Sequence, residues 1–356
     1  MKSSKKIAFI IPSLGMGGAE RVATELSNEM NKRNIDVQFF LLDSNEVYYD
    51  VSEKIKITFI EYNKKENRLS RNIRRIHRLR KAIKDNGIDI VISFITSSNF
   101  LSIIAAFNTK AKVFVSERSN PNVATKKIKI IRNLLYRFAD GCVFQTKDAM
   151  NVFNKRIRKK STIIGNPSKN DLPMWNNIKN HDKTIITACR LEKSKNLPML
   201  LNAFSIANTN NSYKLLIYGN GPDKDRISKI ISDLKLNNSV SLMGEDKSWH
   251  KNAVKCSVFV LSSDYEGMSN SLLEALSMGI PVISTDHPIG GAKALIEDEK
   301  NGFLVPVGDS NSMAKRIIEI MNDENLQNKF SRNALIMRDK YSIEKITDKW
   351  LDFVNK

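Results

Sequence analysis

Residues Ser257–Thr285 read SVFVLSSDYEGMSNSLLEALSMGIPVIST. An apolar run rich in β-branched and aromatic residues leads into a polar loop. A short helical pattern follows, closed by Gly279 and Pro281, and then a second apolar run, IPVIST. Short apolar runs bounded by polar or glycine-containing segments read as strands buried on both faces. Strand, helix and strand in succession make the βαβ unit of a parallel sheet. Ser269, Asn270 or Ser271 can cap this helix, and Gly279 can end it.

The same alternation extends outward in both directions. Upstream lie KTIITACR, YKLLIYGNG and SVSLMG, with helical patterns over Lys195–Thr209 and Pro222–Leu236. The first half runs KIAFIIP, a helix over Ala19–Lys32, then VQFFLL, IDIVISF, KVFVSE and ADGCVFQT. This predicts an α/β protein of two doubly wound, Rossmann-like domains. The polar stretch at 165–183, GNPSKNDLPMWNNIKNHDK, marks the junction. Domains are expected at 1–165 and 166–340, with an amphipathic helix over 341–356 packing back toward the first. In open sheets of this type ligands bind beyond the carboxyl ends of the strands. Two such domains facing each other would enclose the site in a cleft.

A chain of 356 residues, 41% hydrophobic and 27% charged, has a globular composition and room for two cores. Cys142, Cys189 and Cys256 are isolated, which fits buried thiols in a reducing compartment better than disulfides or zinc. The four histidines have no ligand spacing. The apolar run Ile7–Ile11 is too short for a signal-peptide core, and Pro12 follows it. The longest apolar region, Val91–Phe107, is broken by Ser93, Thr96, Ser97, Ser98, Asn99 and Ser102, so no membrane span is expected. The net charge of +19 is lopsided: residues 1–180 hold 34 Lys+Arg against 16 Asp+Glu, and the remainder 23 against 22. An anionic partner should therefore meet the first half.

Three motifs carry chemistry. Glu266 lies in the strand-to-helix loop of the opening stretch, beside Gly267, where the backbone can approach a ligand closely or adopt an unusual φ. Free N–H groups at the helix start favour an anion such as a diphosphate. Ser271 and Glu274 also have the spacing of a capping box, which would make Glu274 purely structural and leave Glu266 unexplained. In CRLEKSKN, Arg190 follows a buried strand directly and Lys195 lies five residues on. Two cations there can hold a diphosphate and offset the charge that builds on it as it leaves. Lys193 reads as solvated charge. The third motif, IPSLGMGGAERVA, is a glycine-rich turn between the first strand and first helix. Its Gly15, Gly17 and Gly18 fit neither G-x-G-x-x-G nor a Walker loop.

Taken together these motifs resemble the family 4 glycosyltransferases of the GT-B fold, essentially end to end. EGMSNSLLEA is similar to that family's E-x7-E motif, RLEKSKN to its Arg-Leu-x-x-x-Lys-Asn element and GMGGAE to its amino-domain glycine loop. YGNGPDKDRI and NGFLV match its commoner second-domain signatures. The resemblance implies that Glu266 contacts donor-sugar hydroxyls and Glu274 the ribose. It implies that Arg190 and Lys195 clamp the diphosphate, with Gly267, Met268, Ser269 and Asn270 supplying backbone contacts. Gly17 and Gly18 would approach the donor from the other domain. Transfer would retain anomeric configuration, by front-face displacement assisted by the leaving diphosphate, with neither metal nor cofactor. The one D-x-D, Asp223–Asp225, opens a helix, and capping explains it better than a metal. One departure stands out: in VSERSNP, Arg118 takes the place where many relatives have histidine. Arginine keeps its proton and is no general base. It is expected to bind an anionic or hydroxyl group of the acceptor.

The basic surplus concentrates in NRLSRNIRRIHRLRKAIK, residues 67–84. Leu69, Ile73, Ile76, Leu79 and Ile83 form a stripe there that should pack on the sheet. Arg68, Arg71, Arg74, Arg75, Arg78, Lys81 and Lys84 cover much of the rest, and Lys126–Phe138 is a second basic amphipathic segment. Such helices lie on anionic bilayers, each cation contributing roughly 1 kcal/mol. The expectation is a cytoplasmic enzyme, peripheral on the inner face of the membrane. It would move a sugar such as GalNAc from a UDP-sugar donor to a lipid-linked polyprenyl diphosphate glycan in bacterial surface polysaccharide assembly. Arg71, Arg74, Arg75 and Arg78 would meet the acceptor's anionic group. A sugar-nucleotide epimerase on the same fold is the nearest alternative. A nucleic-acid-binding protein would explain the charge, but the basic helices lack interleaved aromatics and no nucleic-acid module is visible. A non-catalytic relative would leave Glu266, Arg190 and Lys195 without a purpose.

Overall fold

The structure is a computed structural model that describes residues 5–60, 67–175, 182–210 and 212–356. Residues 1–4, at the head of the segment weighed as a signal peptide, and 176–181 of the expected junction lie outside the described residues. The chain forms two compact units: Met1–Pro167 together with Ile343–Lys356, and Ser168–Ser342.

In the first unit the strands are β1 (Ile7–Ile11), β2 (Val37–Leu41), β3 (Lys56–Phe59), β4 (Ile90–Phe94), β5 (Lys112–Glu117), β6 (Gly141–Phe144) and β7 (Ser161–Ile163). They make one parallel sheet in the order β3-β2-β1-β4-β5-β6-β7. β1, β2, β4 and β6 are buried along their whole length, because helices cover both faces of a parallel sheet. Phe9 stacks between Phe39 and Phe94, with ring centroids 5.5 and 6.0 Å away. The terminal helix Ile343–Val354 belongs to this unit: Trp350 lies 5.8 Å from the Phe94 ring, and Arg33 pairs with Asp348 at 2.5 Å.

The second unit holds β8 (Asp182–Ala188), β9 (Lys214–Tyr218), β10 (Val240–Gly244), β11 (Cys256–Leu261), β12 (Val282–Thr285) and β13 (Phe303–Val305). Its sheet is parallel, in the order β10-β9-β8-β11-β12-β13. Both sheets therefore reverse strand order beside their first strand, between β1 and β4 and between β8 and β11. A crevice opens at the carboxyl ends of such a pair. Every apolar run read from the sequence is a strand. Three strands were not anticipated, β3, β7 and β13. All lie at sheet edges and are three or four residues long, too short to show a period.

Candidate active site

The helix of the opening stretch spans Asn270–Met278. Ser269 caps it, its hydroxyl accepting from the Leu272 N–H at 3.4 Å, and Gly279 ends it in the left-handed region at φ 81°. With Ser269 as the cap, Ser271 already lies inside the first turn, and the Ser271–Glu274 capping box weighed as the alternative for Glu274 does not form. Glu274 is instead buried and meets His250 Nε2 at 2.8 Å. Nothing in the motifs points to this partner: His250 sits in the crossover from β10 to β11, outside all of them.

Two loops meet beyond the switch point of the second sheet. After β8 the chain runs through Arg190 to Lys195. After β11 it runs through Ser263 to Glu266. Lys195 Nζ donates to Glu266 Oε1 at 2.5 Å, and the Ser263 hydroxyl donates to the same oxygen at 2.8 Å. The side chains of Lys195 and Glu266 are 16% and 10% exposed, so each charge needs the other. Burial opposes the Glu266 carboxylate, but the charge and hydrogen bond of Lys195, then Ser263 and His287, hold its pKa below the ordinary value. Burial likewise opposes the Lys195 ammonium, and Glu266 more than compensates, holding its pKa above the ordinary value.

The loops around this pair are knit together. Asn196 Nδ2 donates to Asp264 Oδ1 at 2.6 Å, the Asp264 N–H to Ser194 O at 2.8 Å, and the Ser262 hydroxyl to Lys195 O at 2.8 Å. From the neighbouring β12, the Thr285 hydroxyl donates to Ser263 O at 2.6 Å. Asn196 is left-handed at φ 43° while its side chain caps the next helix. Such strain is held only where surroundings over-determine it. Ile289, φ 79°, is a second strained residue, four positions beyond β12. The loop that carries it comes close to Gly267: a Cβ on Gly291 would stand 1.7 Å from the Gly267 carbonyl oxygen. Gly267 itself is not among the positive-φ glycines, so the unusual φ weighed for it from the sequence is not adopted. Met268 and Ser269 are buried and Asn270 opens the helix. Arg190 lies at the rim, 63% exposed, 3.8 Å from Glu192. Asp223 occupies the N-cap position of Lys224–Asp233 without a side-chain capping bond, and pairs with Arg226 at 3.5 Å.

In the first unit, Gly17 is the N-cap of Gly18–Lys32, and the Tyr49 hydroxyl donates to its carbonyl at 3.1 Å. A Cβ on Gly17 would lie 2.0 Å from Glu20 Oε2, so this turn is closed by a carboxylate of its own helix. Burial raises the pKa of Glu20, against backbone N–H groups of Glu20 and Ala19 that lower it. Arg118 follows β5. Its Nη1 donates to Asn166 Oδ1 at 2.9 Å, and its guanidinium lies 4.6 Å from the Phe94 ring centroid and 5.6 Å from that of Trp350. Its Nε and Nη2 are buried without a hydrogen-bond partner among the described residues, and burial draws its pKa down to about 9.

The basic helix spans Arg68–Asp85, capped by Asn67. Arg74 and Arg78 are exposed, and Arg71 is half-buried. Arg75 departs from the expected surface role: it is buried, and its Nη2 donates to Leu42 O at 2.7 Å and Asp43 Oδ1 at 2.5 Å. Arg75 is four residues from both Arg71 and buried Leu79, so it lies on the helix's inner edge. The apolar stripe also divides. Leu79 and Ile83 are buried as expected, but Leu69 is 72% exposed and Ile73 48%. On Lys126–Leu135, Ile130 is 69% exposed, with Ile128, Ile131 and Leu134 also outside. Both helices pack against Thr96–Ala106. Among the described residues no helix is long and apolar enough to cross a membrane.

Two family models match the chain in tandem: Glycosyltransferase Family 4 over residues 16–167 and Glycosyl transferases group 1 over 169–337. The chain belongs to these glycosyltransferases. The relative named GalNAc-alpha-(1->4)-GalNAc-alpha-(1->3)-diNAcBac-PP-undecaprenol alpha-1,4-N-acetyl-D-galactosaminyltransferase, from Campylobacter jejuni, is 28% identical across 98% of both chains. The N-acetylgalactosamine-N,N'-diacetylbacillosaminyl-diphospho-undecaprenol 4-alpha-N-acetylgalactosaminyltransferase of the same organism is 29% identical over 93% of this chain and 94% of its own. Among solved structures, Anabaena HepE in complex with UDP superposes with a TM-score of 0.84 at 16% identity, over 98% of this chain and 99% of that one. Sucrose-phosphate synthase from Thermosynechococcus elongatus gives 0.85 at 16%, over 99% and 98%. The fold is GT-B, as expected from the motifs, and the activity is glycosyl transfer. The relatives fit a transferase and not the epimerase alternative.

Proposed function

We propose that this glycosyltransferase moves an N-acetylhexosamine, GalNAc in the first instance, from a UDP-sugar to a polyprenyl diphosphate-linked glycan, with retention. The observation that carries the reading is the Lys195–Glu266 pair beyond the carboxyl ends of β8 and β11. A carboxylate held ionised is a strong acceptor for sugar hydroxyls, and the adjacent ammonium with Arg190 suits the β-phosphate of a nucleotide. Glu274 takes the ribose and Gly267–Asn270 the diphosphate edge, and Gly17 and Gly18 are assigned to donor binding as well. The leaving diphosphate accepts the acceptor's proton, since Arg118 cannot, and no metal or cofactor takes part. The names of the Campylobacter relatives support the donor sugar and the undecaprenyl carrier.

The same reading places the enzyme on the cytoplasmic face of the membrane. Exposed Leu69, Ile73, Ile130 and Leu134 beside Arg74, Arg78 and the lysines of Lys126–Leu135 have the mixture of apolar and cationic side chains that anionic bilayers attract. Arg71, Arg74 and Arg78 would meet the acceptor diphosphate, and Arg118 an acceptor group near the reaction.

Thermal unfolding with UDP, GDP, ADP and CMP, chelator present, tests the donor site. Saturation at a hundred times the dissociation constant stabilises a fold by about 2.7 kcal/mol. A shift with UDP alone, followed by transfer of radiolabelled GalNAc to an undecaprenyl diphosphate glycan, is the expected result. No shift with any nucleotide would refute the donor site. Binding to RNA or DNA tighter than to anionic vesicles would refute the membrane reading.

A further inference from the structure

The crossover from β10 to β11 carries a packed aromatic pair that no donor-site motif contains. Trp249 and His250 are each 7% exposed, with ring centroids 4.3 Å apart. Trp249 also lies 5.9 Å from Phe259, in the middle of β11. His250 Nε2 then reaches Glu274 Oε2 at 2.8 Å. A rigid strand therefore fixes an indole, the indole an imidazole, and the imidazole a carboxylate.

A glutamate on a helix has three rotatable bonds, and nothing in helical backbone geometry selects one carboxylate orientation. A buried carboxylate also needs hydrogen-bond donors, or its desolvation outweighs any gain. The imidazole meets both needs. An ionised Glu274 only accepts, so Nε2 carries the proton of this hydrogen bond. The Trp249 indole lies against the imidazole, centroids 4.3 Å apart at an interplanar angle of 33°, and restricts how the buried ring can turn.

We propose that His250 is a positioning residue for nucleotide recognition: it holds the Glu274 carboxylate in the orientation that accepts the ribose hydroxyls. Selection for a ribonucleotide donor thus depends on an imidazole that need not touch the ligand. The proposal rests on Glu274 reading the ribose. A site built to bond a hydroxyl rejects an analogue lacking it far more strongly than an apolar pocket could. That rejection requires a carboxylate fixed before the ligand binds, which is what the packed ring supplies.

The test compares binding of UDP and 2',3'-dideoxyuridine diphosphate by calorimetry, in the wild type, His250→Leu and His250→Gln. The wild type should prefer UDP by about tenfold or more. His250→Leu fills the space without a donor. It should lose about tenfold on UDP and nothing on the dideoxy nucleotide. His250→Gln, whose amide N–H reaches the former place of Nε2, should restore most of the preference. Should the leucine variant fail to fold, His250→Asn, polar but too short to reach Glu274, takes its place against Gln. Equal losses on both nucleotides, with Gln no better than Leu, would mean the ring only packs and would overturn the proposal alone. A wild type that binds both nucleotides equally would overturn the proposal together with the ribose role of Glu274. A wild type that binds neither would overturn the donor site itself, and the proposal with it.

Discussion

Lys195 Nζ and Glu266 Oε1 lie 2.5 Å apart, although 71 residues separate them in the chain. Each stands in the loop that leaves one of the two strands flanking the switch point, so the ion pair joins the loops that follow β8 and β11. Sequence motifs assign the two residues separate tasks, cation for phosphate and carboxylate for sugar. The geometry makes them one unit: the ammonium keeps the carboxylate ionised in a buried place, and the carboxylate aims the ammonium. A substitution at either position therefore acts on stability and on chemistry together, and the two effects have to be separated by choice of variant.

Glu266→Gln retains an acceptor for Lys195 and the side-chain volume, so the fold should survive with a loss of about 1–3 kcal/mol. Transfer should fall by about 10²–10³-fold or more, the scale seen when one charged contact to a reacting group is removed. Lys195→Met strands a buried carboxylate and should cost about 3–5 kcal/mol. Lys195→Met/Glu266→Leu should recover most of that stability and no activity. Denaturant unfolding and a transfer assay on the three variants check this, and wild-type turnover in Glu266→Gln would remove the assignment.

The same pair sets a pH dependence. The folded pKa of Glu266 lies below the ordinary 4.5, so its contribution to stability is present above 4.5 and is lost as pH falls through the folded value. The folded pKa of Lys195 lies above the ordinary 10.5, so its contribution is intact below 10.5 and is lost as pH rises through the folded value. The stability difference between the wild type and Lys195→Met/Glu266→Leu should therefore be flat from about pH 5 to 10 and shrink at both ends. Glu117 behaves oppositely. Burial raises its pKa, so its contribution is full below 4.5 and declines as pH rises. It is common to both chains and cancels in the difference. Melting curves across pH provide the measurement.

The basic helix should divide by residue. Arg75→Ser removes a buried guanidinium that satisfies Leu42 O and Asp43, and should destabilise the protein by about 2–4 kcal/mol. Arg74→Ser/Arg78→Ser, at two exposed positions, should cost less stability than Arg75→Ser. It should nevertheless weaken binding to anionic vesicles by roughly 2 kcal/mol, about thirtyfold. Vesicle sedimentation and thermal unfolding on the same samples separate the two roles. Unchanged vesicle binding in the exposed pair would end the membrane reading of this helix.

The alternation of apolar runs was enough to read two parallel sheets, because strands buried on both faces carry their signal within five or six residues. The edge strands β3, β7 and β13 were not legible, since each has four residues or fewer and no period can show over so short a run. Glu266, Lys195 and Arg190 were legible as types of residue at a strand's carboxyl end. Their pairing was not, because which of two cations reaches a given carboxylate depends on loop paths. Arg75 was misread for a related reason: a helix with charges around its whole circumference hides which ones turn inward. His250 lay beyond reach altogether. Its partner Glu274 is 24 residues away on another element, and a single histidine has no spacing to betray it.

The backbone behind Arg190 offers a last prediction. After β9 the loop Gly219–Gly221 lies directly on the segment that leaves β8: Cys189 N–H donates to Tyr218 O at 3.0 Å and Leu191 N–H to Asn220 O at 2.9 Å. Gly219 has φ 125°, and a Cβ there would stand 1.9 Å from the Cys189 carbonyl oxygen, a backbone atom that cannot turn aside. Gly219→Ala must therefore push the Cys189–Leu191 segment, and Arg190 with it, out of place. Gly308 provides the comparison, since its φ of 80° also disfavours a side chain but a Cβ there would meet nothing within 4 Å. Gly308→Ala should cost only about 1–2 kcal/mol, the price of left-handed backbone, and leave UDP-induced stabilisation intact. Gly219→Ala should cost upwards of about 3 kcal/mol and, in the fraction that folds, reduce the shift that UDP produces. Equal UDP shifts in the two variants would show that the diphosphate does not depend on where Arg190 is held, and the clamp assigned to that residue would have to be given up.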